Sequence, residues 1–277
     1  MNVSWVYEGQ TYDLDFQDKE HSYKINGVYV VGCTSVTGIL PKGKVLQWWA
    51  SRLACEKMGF LQHKKSGKII NKMDECIRVA GENLARVKEM SVKDYMALLG
   101  EAYKAHAVSL DESADLGTIV HGYCEAFIKN GTLPPATERK EVLNSFGKFL
   151  KWTEDNKVEW IHSELIVGSH HMFGGKFDAV AKVNGLVTLI DFKTSNGIYE
   201  LDYATQLSGY QIAYEEMGRE PSIHQRMILW IPKTGDNFKA HIIETPLELG
   251  KQIFFSALAL YKCMENYKRI LSANSLE

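Results

Sequence analysis

The chain has 277 residues, 45% hydrophobic and 24% charged, a composition that supports a sizeable globular core and excludes a disordered or fibrous chain. Its 32 Lys and Arg against 34 Asp and Glu leave a formal charge of −2, so any nucleic-acid surface must be a local patch and not a global basic field. The five cysteines, Cys33, Cys55, Cys76, Cys124 and Cys263, are scattered without a CxxC pair, and no run of apolar residues reaches membrane-spanning length, which argues against a zinc ribbon, a cysteine-ligated cluster and a membrane span.

Residues 1–31 read as short strands, with Asn26-Gly27 between β-favouring runs as a hairpin signal. Residues 34–107 read as mostly helical, first around Trp48, Trp49, Leu53 and Lys57, then over ECIRVAGENLARVKEM and VKDYMALLGEAYKAHAV. A further helix is predicted over 113–129 and another over 137–155, separated by the Gly131–Pro135 loop. Strands follow at 158–167, 173–183 and 186–194, then a helix over 199–217 ending at Gly218. Strands near 224–231 and 238–244 precede a final helix from about 246. This order predicts an α/β fold, a central mixed β-sheet flanked by helices. Residues 1–110 would form an N-terminal hairpin and mostly helical lobe, and 111–277 the core. The opening MNVSWVYEGQ lacks a basic region followed by an apolar run, so no secretory signal is expected. Free thiols fit a reducing compartment, the cytoplasm.

The segment GGKFDAVAKVNGLVTLIDFKTS, residues 174–195, is the most informative. Asn184-Gly185 favours a two-residue type I′ turn, which sets Val183 opposite Leu186. Asp178 and Asp191 each lie five positions outward from that pair, so the register places the two carboxylates opposite each other. Cross-strand Cβ atoms are about 4.5–5.5 Å apart. Two acids that close require a cation, and a divalent metal is the natural candidate. Lys193, two residues beyond Asp191, shares its face, while Ile190 and Phe192 point to the opposite, apolar one. A surface salt bridge between Asp191 and Lys193 is the bland alternative for DFKTS alone; the match with Asp178 favours a site.

Gly175-x-x-Asp178 followed by Asp191-Phe192-Lys193-Thr194 resembles the PD-(D/E)xK nucleases, and in particular their RecB-type exonuclease branch. Gly117-x-x-x-His121, Glu164 in the preceding strand and Gln206-x-x-x-Tyr210 in the following helix are similar to further motifs of that branch. HSYKINGVYVVGCTSVTGIL with LQWWA also looks like its phage-encoded and mitochondrial-type members.

The resemblance implies a restriction-endonuclease-like core that hydrolyses DNA with Mg²⁺ or Mn²⁺. It implies Asp178, Asp191, His121 and the Phe192 carbonyl as metal ligands, Lys193 as the catalytic lysine and Glu164 as a supporting acid. Gln206 and Tyr210, with Thr194 and Ser195, would line the DNA path. Partners implied are DNA that is single-stranded or has a free end and proteins of replication or recombination, in the host cytoplasm if phage-encoded. Members with an iron–sulfur cluster carry three cysteines near the C-terminus; only Cys263 lies there, so no cluster is expected.

Other features weigh less. Glu125, on the His121 face, reads as a solvated or outer group. Lys42, Lys44, Lys64, Lys65, Lys68 and Lys72 are ordinary solvated charges or phosphate contacts. Trp48 and Trp49 stack bases or pack in a core. His170-His171 read as incidental. Gly38-x-x-x-x-Gly43-Lys44 approaches a phosphate-binding loop, but Val45 stands where Ser or Thr must hold Mg²⁺ and Pro41 interrupts it, so no ATP use is expected. The rival readings are an endonuclease with the same hairpin and a catalytically silent nucleic-acid-binding protein.

Overall fold

The computed structural model describes residues 1–41, 45–58, 63–65, 68–70, 73–195, 197–231 and 238–274, with the side chains of 45–46, 63–65, 68–70, 73–80, 110–115 and 274 outside the description. In chain order the elements are β1 (Asn2–Tyr7), β2 (Gln10–Gln17), β3 (Ser22–Ile25), β4 (Val28–Gly32), α1 (Cys33–Thr37), α2 (Val45–Lys57), β5 (His63–Lys65), β6 (Lys68–Ile70), α3 (Met73–Glu89) and α4 (Val92–Asn130). They continue with α5 (Lys140–Asp155), β7 (Glu159–Ser169), β8 (Phe173–Val183), β9 (Leu186–Lys193), α6 (Glu200–Glu216), β10 (Gln225–Trp230), β11 (Lys239–Ile242) and α7 (Leu247–Asn274). Two compact units result: Met1–Pro41 with Leu116–Glu277, and Lys42–Asp115.

The first unit is built on a nine-stranded mixed sheet in the order β1-β2-β3-β4-β8-β9-β10-β11, with β7 on the other edge of β8. The β9–β10 and β4–β8 pairs are parallel and the others antiparallel. This is the α/β architecture the alternation of elements predicts. The hairpin forms as its turn requires: Asn184 and Gly185 hold φ of 50° and 85°, and Val183 pairs with Leu186.

Both faces of the sheet are covered. On one, Phe177, Val180, Leu189 and Ile228 pack with Leu207 and Tyr214 of α6 and Phe254 of α7. On the other, Ala179, Ile190, Phe192 and Leu229 pack with Val120 and Cys124 of α4 and Phe146 and Phe149 of α5. The face shared by Asp191 and Lys193 is therefore as apolar further back along β9 as its opposite, and the two charged groups sit at the strand's end.

Three differences from the sequence reading have physical causes. The N-terminal strands belong to the core sheet, because β4 pairs with β8 through Val31–Phe173 and Gly32–Gly174; the division near 110 is replaced by breaks near 41 and 116. The helices expected over 92–108 and 113–129 are one helix, α4; Ser109–Asp115 contains neither proline nor glycine to stop it. The segment 34–107 is not all helical, since β5 and β6 pair antiparallel within it.

In the second unit, Lys57 meets Glu101 at 3.0 Å and the Asn83 amide donates to the Met58 carbonyl. Among the described residues no helix is long and apolar enough to cross a membrane.

Candidate active site

The site lies where β8 exchanges partners. With β7 along one edge from Phe173 to Lys182, the other edge pairs with β4 at Phe173 and Gly174 and with β9 from Ala179 onward. Between the two partners the edge opens, and Asp178 is the next residue in the β9 register. Its carboxylate Oδ2 accepts the backbone N–H of Phe192 at 2.5 Å, so a side chain finishes a ladder that the main chain leaves incomplete.

Asp178 and Asp191 are 14% and 6% exposed, and each is met by a protein cation. Asp191 Oδ2 lies 2.5 Å from Lys193 Nζ, and Asp178 Oδ1 lies 3.5 Å from Nδ1 of His121 in α4. Burial pushes Asp191 up, Lys193 offsets this only in part, and the Asp178 charge adds to it, leaving Asp191 above the usual carboxylate range. Burial also acts on Asp178, but His121, Lys193 and the Phe192 N–H outweigh it and hold that carboxyl below its usual value. Burial works against the His121 imidazolium; Asp178 and then Asp191 override it, and the imidazole titrates above its ordinary value. Lys193 resists burial through Asp191 and Asp178 and stays an ammonium.

Lys193 is held from behind. Its Nζ donates to Gln206 Oε1 at 3.2 Å and sits 5.2 Å above the Tyr203 ring. Gln206 Nε2 donates in turn to Tyr210 Oη at 2.8 Å and to Thr34 Oγ1 at 3.0 Å. Gln206 and Tyr210, expected along a DNA path, are 5% and 3% exposed; the structure places them inside the core behind the lysine, not on a surface. Gly175 belongs to the same arrangement. A Cβ there would lie 2.5 Å from Tyr210 Cε1 and 3.1 Å from Cys33 Sγ, so β8 can pass the tyrosine ring only as glycine.

Glu164 stands across β7 from Asp178, between the paired Ser163–Ala179 and Leu165–Phe177. Its φ is 52°, and it is the one non-glycine residue with positive φ inside a described strand. Such strain persists where surroundings enforce it and gathers at functional sites. Glu164 Oε2 meets Lys176 Nζ at 2.5 Å. Burial raises its pKa, Lys176 opposes, and Asp178 adds to the rise.

Ser195 closes the loop after β9: its hydroxyl donates to the Gly197 carbonyl at 2.7 Å and lies 2.9 Å from Tyr203 Oη. Thr194 beside it is half-buried. Glu125 pairs with Lys129. Trp48 is 71% exposed and Trp49 half-buried. Lys42, Lys44 and Lys72, with the side chains of Lys64, Lys65 and Lys68, lie outside the described residues. Sequence reasoning missed Thr34 and Lys176, whose places depend on contacts 172 and 12 residues away along the chain and leave no local signal.

The donor set fits a hard divalent cation: two buried carboxylates with an imidazole beside them. Asp191 Oδ2 is fully buried with no aligned hydrogen-bond donor, its ammonium partner apart. The ligand atoms are spread, however. Among the described residues, the His/Cys/Asp/Glu group that brings three ligand atoms within 4.8 Å is His170, His171 and Glu216, away from this centre.

Residues 136–268 match the family model described as the PD-(D/E)XK nuclease superfamily. That span contains Glu164, Asp178, Asp191, Lys193, Gln206 and Tyr210; His121 lies upstream of it. No curated protein matches the chain. A solved structure titled "Crystal structure of SSO0001" is similar at 16% identity over 79% of this chain and 87% of that one, with a TM-score of 0.29.

Proposed function

Because residues 136–268 match the family model of the PD-(D/E)XK nuclease superfamily, we propose that the chain is a metal-dependent deoxyribonuclease that degrades DNA from an end, an exonuclease of RecB type. The observation that carries this reading is one hairpin whose paired register runs to Ala179 and Ile190, with Asp178 and Asp191 the next residue of each strand and Lys193 Nζ between Asp191 and Gln206. Mg²⁺ or Mn²⁺ would be held by Asp178, Asp191, His121 and the Phe192 carbonyl, and when bound it supplies charge neutralisation at the phosphate and a lowered pKa for the attacking water.

The chain's own groups do the rest. Lys193, kept as an ammonium, orients the nucleophile and stabilises charge that develops on the phosphate oxygens. Gln206 fixes the lysine's direction, and Tyr210 and Thr34 fix Gln206, so all three act through Lys193. Glu164, held by Lys176, adds a supporting acid beside Asp178. Thr194 and Ser195 set the loop that leads away from the reacting centre, next to the DNA path.

Incubation with end-labelled linear DNA, single- and double-stranded, and with covalently closed circles tests the reading. Loss of label from linear DNA with Mg²⁺ or Mn²⁺, none with chelator and an intact circle is the expected result. Cleavage of the circle would make the protein an endonuclease, and binding without cutting under any ion would leave it a nucleic-acid-binding protein.

A further inference from the structure

We propose that His170, His171 and Glu216 form a second cation site, for a transition ion of the Zn²⁺ class, that is separate from the candidate active site. His170 and His171 occupy the turn between β7 and β8, and Glu216 is the last residue of α6. Phe173, where β8 begins, is five residues from Asp178; at about 3.3 Å per residue the two places are roughly 17 Å apart. The inference does not depend on the nuclease reading.

The first argument is the donor set. Two imidazoles and a carboxylate bring their ligand atoms within 4.8 Å of one another, with His170 Nδ1 at 3.0 Å from Glu216 Oε2 and His171 Nε2 at 3.7 Å from Oε1. Bonds of 2.0–2.1 Å at tetrahedral angles set ligand atoms about 3.3 Å apart, between these two values. Imidazole donors favour Zn²⁺ and its neighbours over Mg²⁺, and three protein ligands leave a fourth position for water.

The second argument is His170 Nδ1. This atom is buried and makes no hydrogen bond despite the carboxylate oxygen 3.0 Å away. A simple ion pair would align the two; a shared ion sits off the nitrogen–oxygen line and needs the misalignment. The rings are already fixed. His170 stacks on Tyr7 at 4.1 Å between centroids, His171 packs edge-on against Phe255 at 4.7 Å, and the backbone N–H of His170 donates to Glu216 Oε2 at 3.2 Å. Lys262, the nearby cation, is turned to the His171 carbonyl at 2.9 Å.

An ion there would tie the β7–β8 turn to the C-terminal end of α6, the helix that carries Gln206 and Tyr210. The test is calorimetric titration of Zn²⁺ alone into the metal-free full chain, wild type, Asp191→Asn, His171→Gln and His170→Gln/His171→Gln, with thermal melts of each. Wild type and Asp191→Asn should bind this Zn²⁺ with equal affinity and melt higher with it. Both histidine variants should bind it at least about tenfold more weakly while melting like wild type without metal. His171 is 43% exposed, so the single variant decides the matter if the double one does not fold. Wild-type Zn²⁺ affinity in the histidine variants, its loss in Asp191→Asn alone, or no Zn²⁺ uptake by wild type would overturn the site.

Discussion

Asp178 accepts the backbone N–H of Phe192 across the hairpin at 2.5 Å, so one residue closes the sheet and, in the proposed mechanism, also supplies an acid to the reaction centre. Replacing it separates the two roles. Asp178→Asn and Asp178→Ala remove the same charge, but only asparagine can still accept the N–H. Both should abolish cleavage. Alanine should cost about 1–3 kcal/mol more than asparagine, the penalty of an unsatisfied buried donor. Denaturant unfolding of the two variants checks this, and equal stabilities would show that the hydrogen bond does not matter.

Gln206 is buried and points at Lys193. Gln206→Leu should lower kcat about 10- to 100-fold, the usual cost of a group that orients a catalytic one, with DNA affinity in chelator unchanged. Fluorescence anisotropy beside single-turnover cleavage separates the two quantities. A loss of affinity at normal kcat would make Gln206 a substrate contact.

Gly175 passes the Tyr210 ring with no room for a methyl group. Gly175→Ala should destabilise the fold by about 1–3 kcal/mol, as overpacking does. Because the clash is with Tyr210, the cost should shrink in a Tyr210→Ala background; additive losses in a double-mutant cycle would place the strain elsewhere.

The His121–Asp178 pair sets a pH window in the metal-free protein. His121 is raised in the folded state, so its contribution is complete below the ordinary imidazole value of about 6.5 and is lost as pH rises through the folded one. Asp178 is lowered, so its contribution is present above about pH 4 and lost as pH falls through its folded value. The pair therefore stabilises most between these limits. In chelator, wild type should exceed His121→Asn in stability most near pH 5–6 and least near pH 9. A gap that widens with rising pH would contradict the pairing.

The hairpin was legible because a two-residue Asn-Gly turn fixes register, and register alone brings Asp178 to Asp191 and Lys193 to Asp191's face. The α/β order was legible from periodicity. What the sequence hid depends on contacts distant along the chain. The split of β8 between β4 and β9 puts the N-terminal strands in the core sheet, and no local pattern announces it. The left-handed backbone at Glu164 has no signature in a residue type that ordinarily avoids it. Gln206 and Tyr210 sit on the expected helix, but which way their face turns follows from the packing of α6 on the sheet. His170-His171 reads as incidental because adjacent histidines in a loop suit neither helix nor strand ligation, and Glu216, which meets them, lies 46 residues from His170. The β5–β6 pair had a cue that the sequence reading did not use, the Ser66-Gly67 dipeptide between HKK and KII.

The central claim is that Asp191, buried beside Lys193 and charge-coupled to Asp178, makes the reaction centre. Cleavage of end-labelled linear DNA with Mg²⁺ or Mn²⁺ by wild type and Asp191→Asn, with the thermal melt of each, tests it most directly. The account requires at least about a 1,000-fold loss of rate, some 4 kcal/mol of barrier, with the cooperative melt retained. Asp191→Asn cutting at the wild-type rate would contradict it.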